Sequence, residues 1–194
     1  FANYWFSATG SGADLGQDVS RSLRFSGAQN LKRTLGTPTN QNNWTVSLWI
    51  KNAKIGSRGD FFDSSNVNPP SDSNLFEMFF NGDGTLAVGK LSAASASTAR
   101  FRDPAAWYHI VITNDGTDIE VYVNGDLINT WSGNGGATAI NTASEHCIGS
   151  ENFHNGDGLF TEGYIAEFNF LDGTHLTPTS FGRTNNDGVW VPKD

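Results

Sequence analysis

The chain has 194 residues, of which 37% are hydrophobic and only 16% charged, with a formal net charge of −8. That length supplies one sizeable domain with a full core, and the acidic balance with scattered basic residues argues against nucleic acid or an anionic membrane as partner. A single cysteine, Cys147, rules out an intrachain disulfide framework, and no apolar run approaches the length of a membrane span.

Phe1 to Asp18 is rich in small residues around Tyr4-Trp5-Phe6, so residues 1–21 read as an N-terminal extended segment. A domain follows over 22–182. Ser22–Ser26 turns Leu23 and Phe25 inward, and Leu31–Leu35 places Leu31, Arg33 and Leu35 on one face. Trp44–Lys51 puts Trp44, Val46, Leu48 and Ile50 on one face and Thr45, Ser47, Trp49 and Lys51 on the other. Ser57 to Asn74 reads as a long polar loop with Pro69-Pro70 near its end. Leu75–Phe80 and Thr85–Lys90 form a hairpin across Asn81-Gly82-Asp83-Gly84, and Phe101 lies in a short strand before Asp103-Pro104.

Ala106 to Trp131 spells out an antiparallel meander. Apolar residues crowd Trp107–Thr113, Ile119–Val123 alternates, and Asn124-Gly125 supplies the two positive-φ positions of a type I′ turn before Leu127–Trp131. Ser132–Asn141 is a Gly-rich loop, Cys147–Gly149 a short strand and Asn152–Gly158 another loop. Gly163–Leu171 is the last long strand, with Glu167 and Asn169 expected on the face of Ile165 and Leu171. A short helical turn is expected near Thr177–Phe181, where Pro178 can open it. Residues 183–194 read as a tail leading toward a further domain. Because the chain starts at Phe1 and its only methionine is Met78, it is expected to be a processed product or a piece of something longer. The density of Asn-Gly and Asp-Gly turns between short apolar runs indicates an all-β sandwich or barrel.

Three segments together resemble the laminin-G-like branch of the concanavalin A-like lectin/glucanase superfamily. They are SLRFSGAQNLKRTLGTPTNQNNWTVSLWI at Ser22–Ile50, WYHIVITNDGTDIEVYVNGDLI at Trp107–Ile128 and GYIAEFNFLDGTHLTPTSF at Gly163–Phe181. The closing piece, with Asp172-Gly173, Pro178 and Phe181-Gly182, is similar to a version found in structural proteins of marine bacteriophages. The resemblance implies a two-sheet antiparallel jelly roll. It also implies recognition of a cell-surface glycan or of a neighbouring structural protein, often at a rim carrying calcium. The expected setting is a virion surface or the extracellular space, on a larger protein that brings several copies together.

Fold membership alone does not choose among activities, so the candidate residues carry the argument. Aromatic rings that stack on sugars are sought at Trp131, beside the Gly-rich loop, at Phe153 and His154 with Asn152, and at Trp49, whose neighbours Ser47 and Lys51 look solvent-facing. The plainer reading is that Trp131 and Trp49 cap the core or bury between protomers. For calcium, Asp60, Asp63 and Asp72 in one loop and Asn152 and Asp157 in another are placed to converge; the plainer reading is ordinary turn residues. Zinc is not expected, since His109, His146, His154 and His175 show no ligand spacing. Glu167-Phe168-Asn169-Phe170-Leu171-Asp172 is similar to the Glu-x-Asp-x-x-Glu strand of retaining glucanases in the superfamily, whose two carboxyls stand roughly 5 Å apart. Here an amide replaces the middle carboxylate, so a glycoside hydrolase or polysaccharide lyase is the lesser expectation. A non-catalytic binding module is the greater, with a purely structural packing module as the alternative.

Overall fold

The computed structural model describes residues 19, 21–65, 71, 74–90, 93–133, 139–151 and 158–193. Fourteen strands and one short 3-10 turn, Pro178–Ser180, run through them. The first sheet contains β1 (Leu23–Ser26), β3 (Trp44–Asn52), β8 (Tyr108–Asn114), β9 (Ile119–Val123), β10 (Asp126–Trp131) and β12 (Glu162–Asp172), in the order β1-β12-β3-β8-β9-β10. The second contains β2 (Leu31–Thr34), β4 (Gly59–Ser65), β5 (Leu75–Phe80), β6 (Thr85–Lys90), β7 (Ala93–Arg100) and β11 (Glu145–Ile148), in the order β2-β11-β4-β5-β6-β7. All ladders are antiparallel, so the architecture is the expected jelly-roll sandwich.

The core fills the space between the sheets. Trp44, Val46, Leu48 and Ile50 of β3 meet Phe61, Phe76, Met78 and Phe80 of the facing sheet, all essentially inaccessible to water. Period-two alternation explains why for β3 and β5, which turn every second side chain inward. Trp44 packs edge-on against Phe76, with ring centroids 5.6 Å apart. Trp107, whose sequence context suggests core, is only half-buried, with the Lys51 ammonium 5.3 Å from its ring centre.

Three expectations are corrected, and one strand joins that no expectation covered. Gly59–Ser65, placed in the polar loop, is strand β4, and its residues are buried. Ala93–Arg100 is strand β7, which the run AASASTAR conceals because a mostly exposed edge strand needs no apolar period. Phe101 lies just beyond that strand rather than within one of its own.

The third correction concerns β12. Ala166 pairs with Trp49 and Asn169 with Ser47, so one extra residue is inserted and the ladder shifts. Glu167 sits in this bulge with φ +50°, a left-handed conformation unusual for a residue with a side chain. The insertion inverts the alternation: Ile165, Phe168 and Phe170 all pack toward the core, while Glu167 and Asn169 are exposed. Glu167 therefore does not share the face of Ile165.

The outer face of the first sheet is covered by the chain's own C-terminal part. Thr45 Oγ1 donates to the Thr174 carbonyl at 2.7 Å and accepts from the Leu176 N–H at 2.9 Å. Beyond the 3-10 turn, β13 (Gly182–Thr184) and β14 (Trp190–Pro192) pair as a hairpin. Trp190 stacks on His109 at 5.9 Å, and His109 stacks on Trp49 at 4.8 Å. The Trp190 ring fits closely against Gly125 and Gly182; a Cβ at either would lie under 3 Å from it. Residues 183–193, read as a tail, thus fold back against the sandwich.

Candidate functional site

The outer face of the second sheet is different in kind, because it carries buried charge. Strand β4 contains its own bulge: Asp60 pairs with Phe79 and Phe62 with Met78, leaving Phe61 as the extra residue. Phe61 and Phe62 both pack into the core. Asp60 and Asp63, three apart in sequence, consequently emerge on the same outer face, where Glu77 lies opposite Asp63. Oxygen atoms of Asp60, Asp63 and Glu77 lie within 4.8 Å of one another.

Arg58 neutralises part of this charge. Its Nε donates to Asp60 Oδ1 and its Nη2 to Asp60 Oδ2, each at 2.7 Å, in a two-pronged ion pair. The same Nη2 donates to Glu77 Oε1. The guanidinium carbon also lies 3.7 Å from the centre of the Phe79 ring, within the range of a cation–π contact. Asp60 is fully buried and Glu77 is 3% exposed, whereas the Arg58 side chain is 28% exposed. The arginine is therefore the group that reaches water.

Burial dominates the protonation of this group. It pushes the Asp60 and Glu77 carboxyls above their ordinary values, and Arg58 pulls both back. Burial also works against the guanidinium charge, but Asp60 and Glu77 more than offset it, so Arg58 stays firmly ionised. Glu151 completes the set. Burial, then the charge of Asp60, pushes it up to about 7, Arg58 opposes and Glu77 adds a further rise. A carboxyl in that state both donates and accepts near neutral pH.

Glu151 and residues 158–160 meet at this cluster. The Glu151 N–H donates to the Gly158 carbonyl at 3.0 Å, and the Asp60 N–H donates to the Leu159 carbonyl at 2.7 Å. Lys54 Nζ donates to the Phe160 carbonyl at 2.5 Å beside them. Three carboxylates around one guanidinium leave negative charge in surplus, so the oxygen donors suit a hard cation such as calcium. Both Asp60 oxygens are engaged by Arg58, so a metal entering here competes with the arginine.

Of the residues picked out for calcium, Asp60 and Asp63 do come together, on a strand and not in a loop. Asp72 and Asp157 lie outside the described residues, as do the candidate glycan contacts Asn152, Phe153 and His154. The expectation that Trp49 faces solvent is corrected: it is 5% exposed, because the C-terminal hairpin covers its face of the sheet. Ser47 is buried with it. Trp131, at the end of β10, is partly buried and packs against the core, stacked on Phe76 at 6.5 Å.

Glu167 is exposed on the bulge. Asp172 instead accepts from the Thr39 N–H at 2.6 Å and from Asn141 Nδ2 at 2.9 Å, tying two loops together. Sequence reasoning missed Arg58, Glu77 and Glu151. The signal for Glu77 was available: it is the one charge in Leu75–Phe80, on a face shared with Leu75 and Phe79. Arg58 stands two residues from Asp60, a spacing that lets its long side chain fold back along the strand.

Residues 25–180 match the family described as the Concanavalin A-like lectin/glucanases superfamily. No curated protein matches the sequence. Among solved structures, a heptameric SAP-like pentraxin from Limulus polyphemus is 20% identical, with 83% of this chain and 80% of that one covered and a TM-score of 0.62. The CBM40 of the Ruminococcus gnavus IT-sialidase, bound to α2,3-sialyllactose, is 12% identical, with 87% and 96% covered and a TM-score of 0.63. Domain 4 of AbnA, a GH43 extracellular arabinanase from Geobacillus stearothermophilus, in complex with arabinotriose, is 18% identical, with 84% and 72% covered and a TM-score of 0.55.

Proposed function

This chain belongs to the concanavalin A-like lectin/glucanase superfamily, and from that premise we propose that it is a non-catalytic recognition module that binds glycans. The observation that carries this reading is the Arg58–Asp60–Glu77–Glu151 group. It holds buried charge on the outer face of a lectin-type sheet, where Glu151 meets Gly158 and Asp60 meets Leu159. Buried charge is costly unless paired, so such a group is a candidate functional site. The half-buried arginine supplies a planar donor for a sugar hydroxyl or an acidic sugar, with Glu151 as the least buried carboxyl of the group beside it. Calcium, if taken up, binds the Asp60, Asp63 and Glu77 oxygens in competition with Arg58.

The solved relatives bound to sialyllactose and arabinotriose supply the first probes. The module sits on a larger structural protein, at a virion surface or outside the cell, where copy number multiplies weak single-site binding. The closing segment Gly163–Phe181 supports the viral setting. The test is a glycan array, including both sialyllactose isomers, run with and without calcium chelation and repeated with Glu151→Gln. Binding that weakens in the variant supports the site; an empty array in both conditions removes the lectin reading.

A second reading, a structural packing module with no glycan ligand, is favoured by the burial of Trp49 and the inward packing of Trp131. An empty array together with stable self-association or binding to a structural partner would establish it. Catalysis by Glu167 is tested with Glu167→Gln on polysaccharides, and unchanged behaviour removes the enzyme reading.

A further inference from the structure

Strand β1 pairs with β12 only over residues 162–165. Beyond the Glu167 bulge, β12 has no strand on that side among the described residues, and the sandwich opens between it and β2. A cavity of about 500 Å³ lies in this opening. That volume falls within the range of small-molecule sites.

The bulge builds the cavity. By inverting the alternation it turns both Phe168 and Phe170 inward, where they stand 5.2 and 5.9 Å from the Phe62 ring. His146 closes the floor at 5.6 Å from Phe170, and Ile148, Leu31 and Leu35 add aliphatic walls. Leu31 is 50% exposed at the mouth, a large apolar side chain left in water.

The polar groups of the lining are nearly all committed. His146 Nε2 accepts from the Asn141 N–H at 3.2 Å, so its Nδ1 carries the proton and donates to the Ser144 carbonyl at 3.0 Å. Asp172 takes the Thr39 and Asn141 donors already described. Lys32 pairs with Glu145 at 3.5 Å. Arg33 alone among these has no hydrogen-bond or ion-pair partner among the described residues, and it lines the mouth. A neutral sugar finds few open partners in such a lining.

We infer that this edge cavity binds an amphipathic anion, its apolar body against Phe62, Phe168 and Phe170 and its carboxylate or sulfate on Arg33. This site is separate from the charged cluster on the outer face of the second sheet. The shape asks for a slim body, since it enters between two packed sheets roughly 10 Å apart. The charge asks for one anionic head, because a single guanidinium is open to it.

The test is calorimetric titration with dodecanoate and dodecyltrimethylammonium, each below its micelle concentration, and with dodecanol below its solubility limit. Dodecanoate is expected to bind at least tenfold more tightly than dodecanol, and the cationic amphiphile least. Arg33→Gln alters only an exposed side chain, so the fold is retained; it should erase the preference for dodecanoate over dodecanol while leaving dodecanol binding unchanged. Leu31→Trp, which fills the mouth, should weaken both. Absence of dodecanoate binding, or equal affinity for dodecanoate and dodecanol in the unaltered protein, overturns the inference. So does a preference that survives Arg33→Gln.

Discussion

The two outer faces of the sandwich are covered by opposite means. On the first sheet, Trp49, His109 and Trp190 form a stack of neutral rings, closed over by the chain's own C-terminal hairpin. On the second, Arg58, Asp60, Glu77 and Glu151 hold charge out of water, with only the arginine substantially exposed. The first arrangement gains from apolar burial and asks nothing of a partner. The second offsets a desolvation cost with ion pairs, which apolar side chains of similar volume would often match without any charge. The difference separates scaffold from candidate site more clearly than exposure does, since residues on both faces are buried.

The largest effects should come from emptying the ring stack. Trp49→Ala is expected to cost about 3–5 kcal/mol in urea unfolding, the usual range for a buried tryptophan. A loss below about 1 kcal/mol would mean that the hairpin does not cover this face in solution. Arg58→Met should cost about 3 kcal/mol, because Asp60 and Glu77 are left as uncompensated buried carboxylates. The loss should shrink as pH falls, since both carboxyls then take up protons; a pH-independent loss would point to packing on Phe79 instead.

The faces should also titrate in opposite directions. Burial lowers His109 from 6.5 to about 4, so the folded protein keeps it neutral. Its contribution is complete above about pH 6.5 and is lost as pH falls toward 4, roughly 3 kcal/mol in all. Glu151 behaves in reverse, because its folded value is raised from 4.5 to about 7. Its contribution is present below 4.5 and is lost as pH rises through 7. The two windows overlap between about 4.5 and 6.5, where the slopes oppose each other, so Glu151→Gln should make the unfolding midpoint rise more steeply with pH across that range; an unchanged profile would mean that Glu151 is not held in the buried cluster in solution.

The smallest effect expected is a gain. Glu167→Gly should stabilise by about 1 kcal/mol, since glycine adopts φ +50° without strain. A loss would show that the glutamate side chain holds the bulge in some other way.

Much of the fold was legible in the sequence because alternation reports burial directly. The β5–β6 hairpin and the β8–β10 meander appear close to where the spacing puts them. The bulges in β4 and β12 were not legible. Each inserts one residue, and alternation read straight through an insertion assigns every later side chain to the wrong face. That is why Glu167 was placed with Ile165, and why Asp60 and Asp63 were read as loop residues. Trp49 was misread for another reason: its side of the strand was assigned correctly, but no local pattern says that residues some 140 positions later will cover it. Asp60 and Asp63 stood out as acidic residues in a polar stretch, whereas Arg58 and Glu151 join them only through tertiary contact.

The strand order carries a consequence for the time course of folding. In the first sheet β12 lies between β1 and β3, with Leu23 opposite Ile165 and Asn52 opposite Gly163. In the second, β11 lies between β2 and β4. Each sheet therefore has a gap between early strands that only late-synthesised chain can fill. Until residue 172 has left the ribosome, β3 has an open edge, and that edge can pair with any other extended chain nearby. Such long-range pairings are slow to form, so the interval before β12 arrives is when the nascent protein is most prone to aggregate.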